Sequence, residues 1–167
     1  MNPVQPCEVP PGALLRKYQH GPGYVDCYVT EVAGAVTQSA YVEAFYTTPL
    51  FKLERAILKW LAGRPSSDDE AKALAGDTRR SFAAWRVEDR TTDELLLADF
   101  TGRTRSWLMT SCRDNATRLY FGSAVVPKPN ARKGDLGFVY HSLLGFHKVY
   151  SRALLRAARS RVQNGSR

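Results

Sequence analysis

The chain has 167 residues, 44% of them apolar and 24% charged, with a formal net charge of +8. These values exclude a disordered chain and fit one globular domain, residues 1–167, large enough to close a core without staples. No run approaches the roughly 18 apolar residues of a membrane span, and a proline-rich start (Pro3, Pro6, Pro10, Pro11) is no secretory signal, so a cytoplasmic protein without membrane insertion is expected.

Residues 1–22 read as an extended leader around the apolar patch Ala13-Leu14-Leu15, suited to covering a sheet edge. Tyr24 to Val32 alternates, with Val25, Cys27 and Val29 on one side and Asp26, Tyr28 and Thr30 on the other, the pattern of a strand. A helix begins near Thr37 with Tyr41, Ala44 and Phe45 on its apolar side. Thr48 then caps a second helix, with Pro49 at a first-turn position that needs no N–H. Its apolar face is expected to hold Leu50, Leu53, Ile57, Trp60 and Leu61. Ser67-Asp68-Asp69-Glu70 is a capping box, and the helix it opens should end at Gly76.

Four strands follow, Phe82 to Val87, Leu95 to Phe100, Arg103 to Ser111 and Thr117 to Val126. Turn chemistry at Thr101-Gly102 and Arg113-Asp114-Asn115 makes them an antiparallel meander. After a loop with Pro127 and Pro129, a long amphipathic helix spans Leu136 to Arg161. Val139, Leu143, Phe146, Tyr150, Ala153 and Ala157 recur on one face, with Lys148, Arg152, Arg156, Arg159 and Arg161 mostly on the other. The class is α+β.

A strand, a helical pair, a meander and a closing helix make the order of the helix-grip fold. The runs Phe45-Tyr46-Thr47-Thr48-Pro49-Leu50-Phe51-Lys52-Leu53-Glu54-Arg55, Thr101-Gly102-Arg103-Thr104-Arg105-Ser106-Trp107-Leu108 and Phe146-His147-Lys148-Val149-Tyr150-Ser151-Arg152-Ala153-Leu154-Leu155 carry a likeness as well. Together they resemble a bacterial family of uncharacterised, START-like (polyketide-cyclase-like) proteins, whose domain also occurs fused behind NAD(P)-binding sequences. The resemblance covers about Tyr24 to Ala158. It implies a curved sheet wrapped on the last helix around an apolar pocket, and brings no assigned reaction or residues. The dinucleotide-binding half is absent, so no cofactor follows.

The residues offer few chemical signatures. HExxH, the P-loop, GxGxxG and the GxSxG elbow around Ser106 or Ser123 are all missing. Cys7, Cys27 and Cys112 are odd in number and lack CxxC spacing, which argues for reduced thiols over a zinc site or a disulfide framework. His141 and His147 do not share a face as an i, i+4 metal pair would. Phe146, His147 and Tyr150 are candidates to line the pocket. Arg86 and Asp99 fall nearly opposite if the hairpin turns around Thr91-Asp93. They are then either a solvent-side ion pair, the reading favoured, or a polar anchor at the pocket floor.

Arg103, Arg105 and Trp107 alternate on one face near Tyr120. They either interleave charge with rings for nucleic acid or lay arginine stems over an outer aromatic layer, and the second reading is favoured. The expected function is binding of an apolar or aromatic small molecule, with no specific nucleic acid partner. The alternatives are a cyclase- or dehydratase-like enzyme using His147, Asp99 or Arg86, and an interaction module using the basic surface.

Overall fold

The computed structural model describes residues 3–21, 23–53, 55 and 66–126, with the last helix described as backbone from 138 and with side chains from 148 to 165. Seven strands form one antiparallel sheet: β1 (Gln5–Pro6), β2 (Tyr24–Ala33), β3 (Ser81–Phe82), β4 (Trp85–Arg90), β5 (Glu94–Asp99), β6 (Thr104–Arg113) and β7 (Ala116–Val125). Their spatial order is β1-β2-β7-β6-β5-β4-β3, a meander from β3 to β7 whose last strand pairs with β2. Among the described residues, helices α1 (Gln38–Tyr46), α2 (Asp68–Ala75) and α3 (Phe138–Gly165) accompany it, with further helical residues at 49–53. α3 packs on α1 and on β2 and β7. This is the α+β helix-grip arrangement.

Local chemistry starts each element where the sequence places it. The Thr37 hydroxyl accepts from the Ala40 N–H and opens α1, and Ser67 and Glu70 form the full capping box of α2. Thr48 Oγ1 accepts from the Phe51 N–H at 3.2 Å and starts the helical residues 49–53. There the buried face differs from the expected one. Phe51 and Arg55 are buried, whereas Leu53 is 60% exposed. Arg55 explains the shift: its guanidinium lies 5.5 Å from the Phe82 ring, bonds Ser66 and pairs with Asp68 at 2.7 Å. Lys52 and Arg55 together hold the Asp68 carboxyl below the usual carboxylate range. Ile57, Trp60 and Leu61 lie outside the described residues.

Two strand expectations change. The strand foreseen over Phe82 to Val87 is split, because Ala83 takes φ 51° and turns the chain between β3 and β4. Alanine is a poor occupant of that left-handed region and gives no turn signal in the sequence. On α3 the buried stripe is Ser151, Leu154, Leu155, Ala158 and Val162, with Ala153 and Ala157 half-buried. Arg159 also departs from the expected solvent face. It is buried and donates to Thr30 Oγ1 at 3.3 Å.

The sheet buries both faces. Against the helices lie Tyr28, Leu95, Leu97, Leu108, Leu119 and Phe121, joined by an aromatic cluster from α1 and the following turn. Within that cluster Phe45 sits 4.9 Å from Phe121, and Tyr46 4.8 Å from Phe51. The opposite face carries Cys27, Leu96, Trp107, Met109, Tyr120 and Ala124, and the leader covers it with Val9, Ala13 and Leu15. The leader thus does more than protect an edge. It pairs with β2 at Gln5 and Pro6 and then crosses the outer face as a 3-10 turn over Leu14–Tyr18.

Two carboxylates pin this turn. Glu94 Oε2 accepts from the Leu14 N–H at 2.8 Å and from Trp107 Nε1 at 2.7 Å. Glu88 pairs with Lys17 at 2.7 Å and Arg105 at 2.5 Å, and accepts from the Tyr18 hydroxyl. Arg105 also stacks over the Tyr18 ring at 5.0 Å. Arg105 and Trp107 therefore hold an outer aromatic layer and offer no open stacking platform.

The leader's close approach depends on Gly122. A Cβ there would stand 2.5 Å from a Leu15 methyl, 2.9 Å from the Asp26 carbonyl oxygen and 3.0 Å from the Trp107 ring. Gly122→Ala should therefore destabilise the protein by about 1–3 kcal/mol, the usual cost of overpacking. Urea unfolding followed by tryptophan fluorescence measures it, and an unchanged midpoint would mean that the leader does not pack as described.

Acid gives a second check. Burial pushes the Glu88 carboxyl up, but the bonds from Lys17 and Tyr18 and the Arg105 charge outweigh it and hold the group below its usual value. A carboxyl lowered on folding stabilises the native state above its unfolded value, near about 4.3, and the contribution is lost as pH falls through the lowered folded value. Glu88→Gln should flatten this acid limb of the stability profile. A profile that keeps its acid slope would remove Glu88 from the pinning of the leader.

Candidate functional site

Register brings three distant polar residues into one row. Asp26 on β2 faces Ser123 on β7, Ser123 faces Ser106 on β6, and Ser106 faces Leu97 on β5. Asp26, Ser123 and Ser106 stand two residues from Tyr28, Phe121 and Leu108, all in the helix-side core, and alternation puts them on the same face. Below them lies the row Tyr24–Val125–Thr104 at the end of the sheet.

Each member of the row is hydrogen-bonded. Asp26 Oδ1 accepts from the Ser123 hydroxyl at 2.6 Å and from its N–H at 3.2 Å. Oδ2 accepts from the Tyr24 hydroxyl at 3.4 Å. Ser106 and Tyr46 share a hydroxyl–hydroxyl bond of 3.1 Å. Tyr28, one step deeper, has its phenol pushed up to about 12 by burial and by the neighbouring Asp26 carboxylate. Arg152 of α3 lies 5.5 Å from the Tyr28 ring.

Tyr41, Phe45, Tyr46, Phe51 and Phe82 are almost wholly buried, and they occupy the interior under α1. α3 runs along β2 in the direction of the row: Arg159 reaches Thr30, and seven residues earlier Arg152 reaches Tyr28. Ser151 beside it is fully buried, with no hydrogen-bond partner for its hydroxyl among the described residues. A buried hydroxyl left unbonded costs about 1–3 kcal/mol, so such a group invites a polar contact.

The residues singled out from the sequence are placed differently. Arg86 and Asp99 do not oppose one another, since Asp99 faces Trp85 and Arg86 faces Ala98. The cause is a bulge at Glu88, between Val87 and Asp89, which slips the hairpin by one residue and turns the two side chains to opposite faces. Arg86 is exposed and lines a 340 Å³ surface cleft with Trp85 and Phe100. Asp99 closes a turn, its carboxylate accepting from the N–H groups of Arg103 at 2.8 Å and Thr104 at 3.1 Å and from the Thr101 hydroxyl. Tyr150 is half-buried and packs on the helix-side core. The side chains of His141, Phe146 and His147 lie outside the described residues. Among the described residues, no group of His, Cys, Asp and Glu is placed to hold a metal ion, and no helix is long and apolar enough to cross a membrane.

No family model matches the chain, and the search of curated proteins gives no match. Among solved structures it aligns with the crystal structure of Ara h 8.0201 at 10% identity and a TM-score of 0.36, over 84% of this chain and 99% of that one.

The polar row makes a stability prediction of its own. Tyr46→Phe should cost about 1–3 kcal/mol by stripping the buried Ser106 hydroxyl of its partner. Adding Ser106→Ala should recover part of the loss in a double-mutant cycle. Strictly additive costs would show that the two hydroxyls are energetically independent.

Proposed function

We propose that this protein binds a small molecule with an apolar body between the inner face of the sheet and α3, and that Asp26, Ser123, Ser106 and Tyr46 orient its polar end. The observation that carries the reading is the row itself, a carboxylate and two hydroxyls crossing three neighbouring strands, with the Tyr46 hydroxyl of α1 bonded to it, on the sheet face that also carries Tyr28, Leu97, Leu108 and Phe121. Small-molecule sites have that composition, mostly apolar with a few placed polar groups. A carboxylate among hydroxyls favours a ligand whose polar end donates hydrogen bonds, such as a phenol, alcohol or amine, over an anion. Tyr150 contributes to the roof of this site, and Phe146 and His147 are proposed to join it, in keeping with the resemblance of the chain to START-like proteins. Arg86, exposed at a separate surface cleft, and Asp99, whose carboxylate closes the 99–104 turn, are left out of it.

A second reading has one observation in its favour. Asp26 is a carboxylate on the inner face and can accept a proton from a bound substrate, the role a cyclase- or dehydratase-like enzyme requires. Binding without turnover remains the simpler use of the same groups.

Native mass spectrometry of freshly purified protein tests the proposal, with an expected excess mass that denaturation removes. In a thermal-shift screen, apolar phenols should raise the melting temperature by mass action. Asp26→Asn should weaken the response to donor-bearing ligands more than the response to purely apolar ones. A screen without any shift, together with a bare native mass, would overturn the proposal. Chemical conversion of a bound phenol, abolished in Asp26→Asn, would move the assignment to the enzyme.

A further inference from the structure

Two of the three cysteines, far apart in sequence, are neighbours across strands. β1 pairs with β2 at Gln5↔Val29 and Pro6↔Tyr28, and the next pair in this register is Cys7 with Cys27. The ladder continues to it, with the Cys7 N–H donating to the Cys27 carbonyl at 3.0 Å. The two sulfurs lie 3.1 Å apart, with the Cys7 thiol donating to Cys27 Sγ. Directly opposed residues of an antiparallel pair have Cα atoms about 4.5–5.5 Å apart, inside the range of about 4.4–6.8 Å that a disulfide spans.

The two thiols differ in access. Cys27 is buried beneath the leader, while Cys7 is half-exposed. Cys7 lines an open cleft of about 460 Å³ with Gln5, Glu8, Glu31, Arg118 and Tyr120. Cys112, at the far end of β6, is exposed and separate from both.

We infer that Cys7 and Cys27 form a thiol–disulfide exchange site, with Cys7 the attacking and Cys27 the resolving thiol toward a low-molecular-weight disulfide. The Cys7 thiolate attacks one sulfur of the small disulfide, forming a mixed disulfide and expelling one thiolate. Cys27 then gives up its proton to that leaving thiolate, and its sulfur attacks Cys7 Sγ, releasing the second small thiol. The protein loses two electrons and two protons, and the small disulfide gains them as two thiols. The contact between the sulfurs agrees with these roles: once Cys7 is a thiolate the Cys27 thiol can donate to it, which holds Cys7 below its usual value, while that same contact and burial push Cys27 up. The product ties the leader covalently to β2 across a segment of 20 residues.

Oxidised glutathione is the probe. Wild-type protein incubated with it and then alkylated should yield a Cys7–Cys27 cross-linked peptide, found by mass mapping, and a melting temperature that rises and falls back on adding reductant. Cys27→Ser should stop at the mixed disulfide and carry glutathione on Cys7, whereas Cys7→Ser should leave Cys27 unmodified. Cys112→Ser should behave as wild type. Full alkylation of Cys7 and Cys27 after incubation, glutathione held on Cys112 alone, or Cys27 reacting first in Cys7→Ser would each overturn the assignment.

Discussion

The contact that the remainder of this protein depends on is the one between Leu15 and Gly122. A sheet that meets helices on one side and water on the other needs apolar residues on one face only. Here Trp107, Leu96, Met109 and Tyr120 also face away from the helices, and they become a second core because a leader lies over them. Gly122 leaves the gap that Leu15 fills, between the Trp107 ring and the backbone of β2. The chain thus has three layers, with the leader as the thinnest.

Such a thin layer cannot be held by apolar burial alone. Its turn at Leu14–Tyr18 buries Leu15 fully and Leu14 and Tyr18 only in part, and the two carboxylates beneath it add further constraint. Glu94 is buried and would be costly without partners, but it accepts from both the leader backbone and Trp107 and so makes the outer core specific to this docking. Glu88 comes from the bulge of β4, the irregularity that also separates Arg86 from Asp99. One extra residue therefore both gives the leader its ionic anchor and removes the cross-strand pair that a regular hairpin would form.

Element order was legible in the sequence because its signals are local: alternation in β2, the Thr48 and Ser67 caps, and turn residues at Asp114 and Gly102. The leader's role was not, since nothing within residues 1–22 says what it covers. The signal lay elsewhere, in Leu95-Leu96-Leu97-Ala98 and Trp107-Leu108-Met109, apolar runs without alternation that mark strands buried on both faces. The Asp26–Ser123–Ser106 row was partly within reach. Counting outward from the Asp114-Asn115 turn pairs Ser106 with Ser123, but bringing β2 beside β7 requires the closed topology of the sheet. Ala83 and the bulge at Glu88 carry no compositional mark, and both displaced an expectation.

The two faces of the sheet are mechanically joined where the candidate site lies. Gly122 meets Leu15 on the outer side, and its neighbour Ser123 bonds Asp26 on the inner side. The atom nearest to a side chain at 122, after Leu15, is the carbonyl oxygen of Asp26 itself. Leu15 therefore packs against β7 at the position next to the polar row, where the β2–β7 ladder runs unbroken. Cys27 adjoins Asp26 on the same strand, facing outward, and is the point at which Cys7 holds the leader to β2. Docking of the leader and the inner row thus share two adjacent residues on β2, Asp26 and Cys27, and two on β7, Gly122 and Ser123.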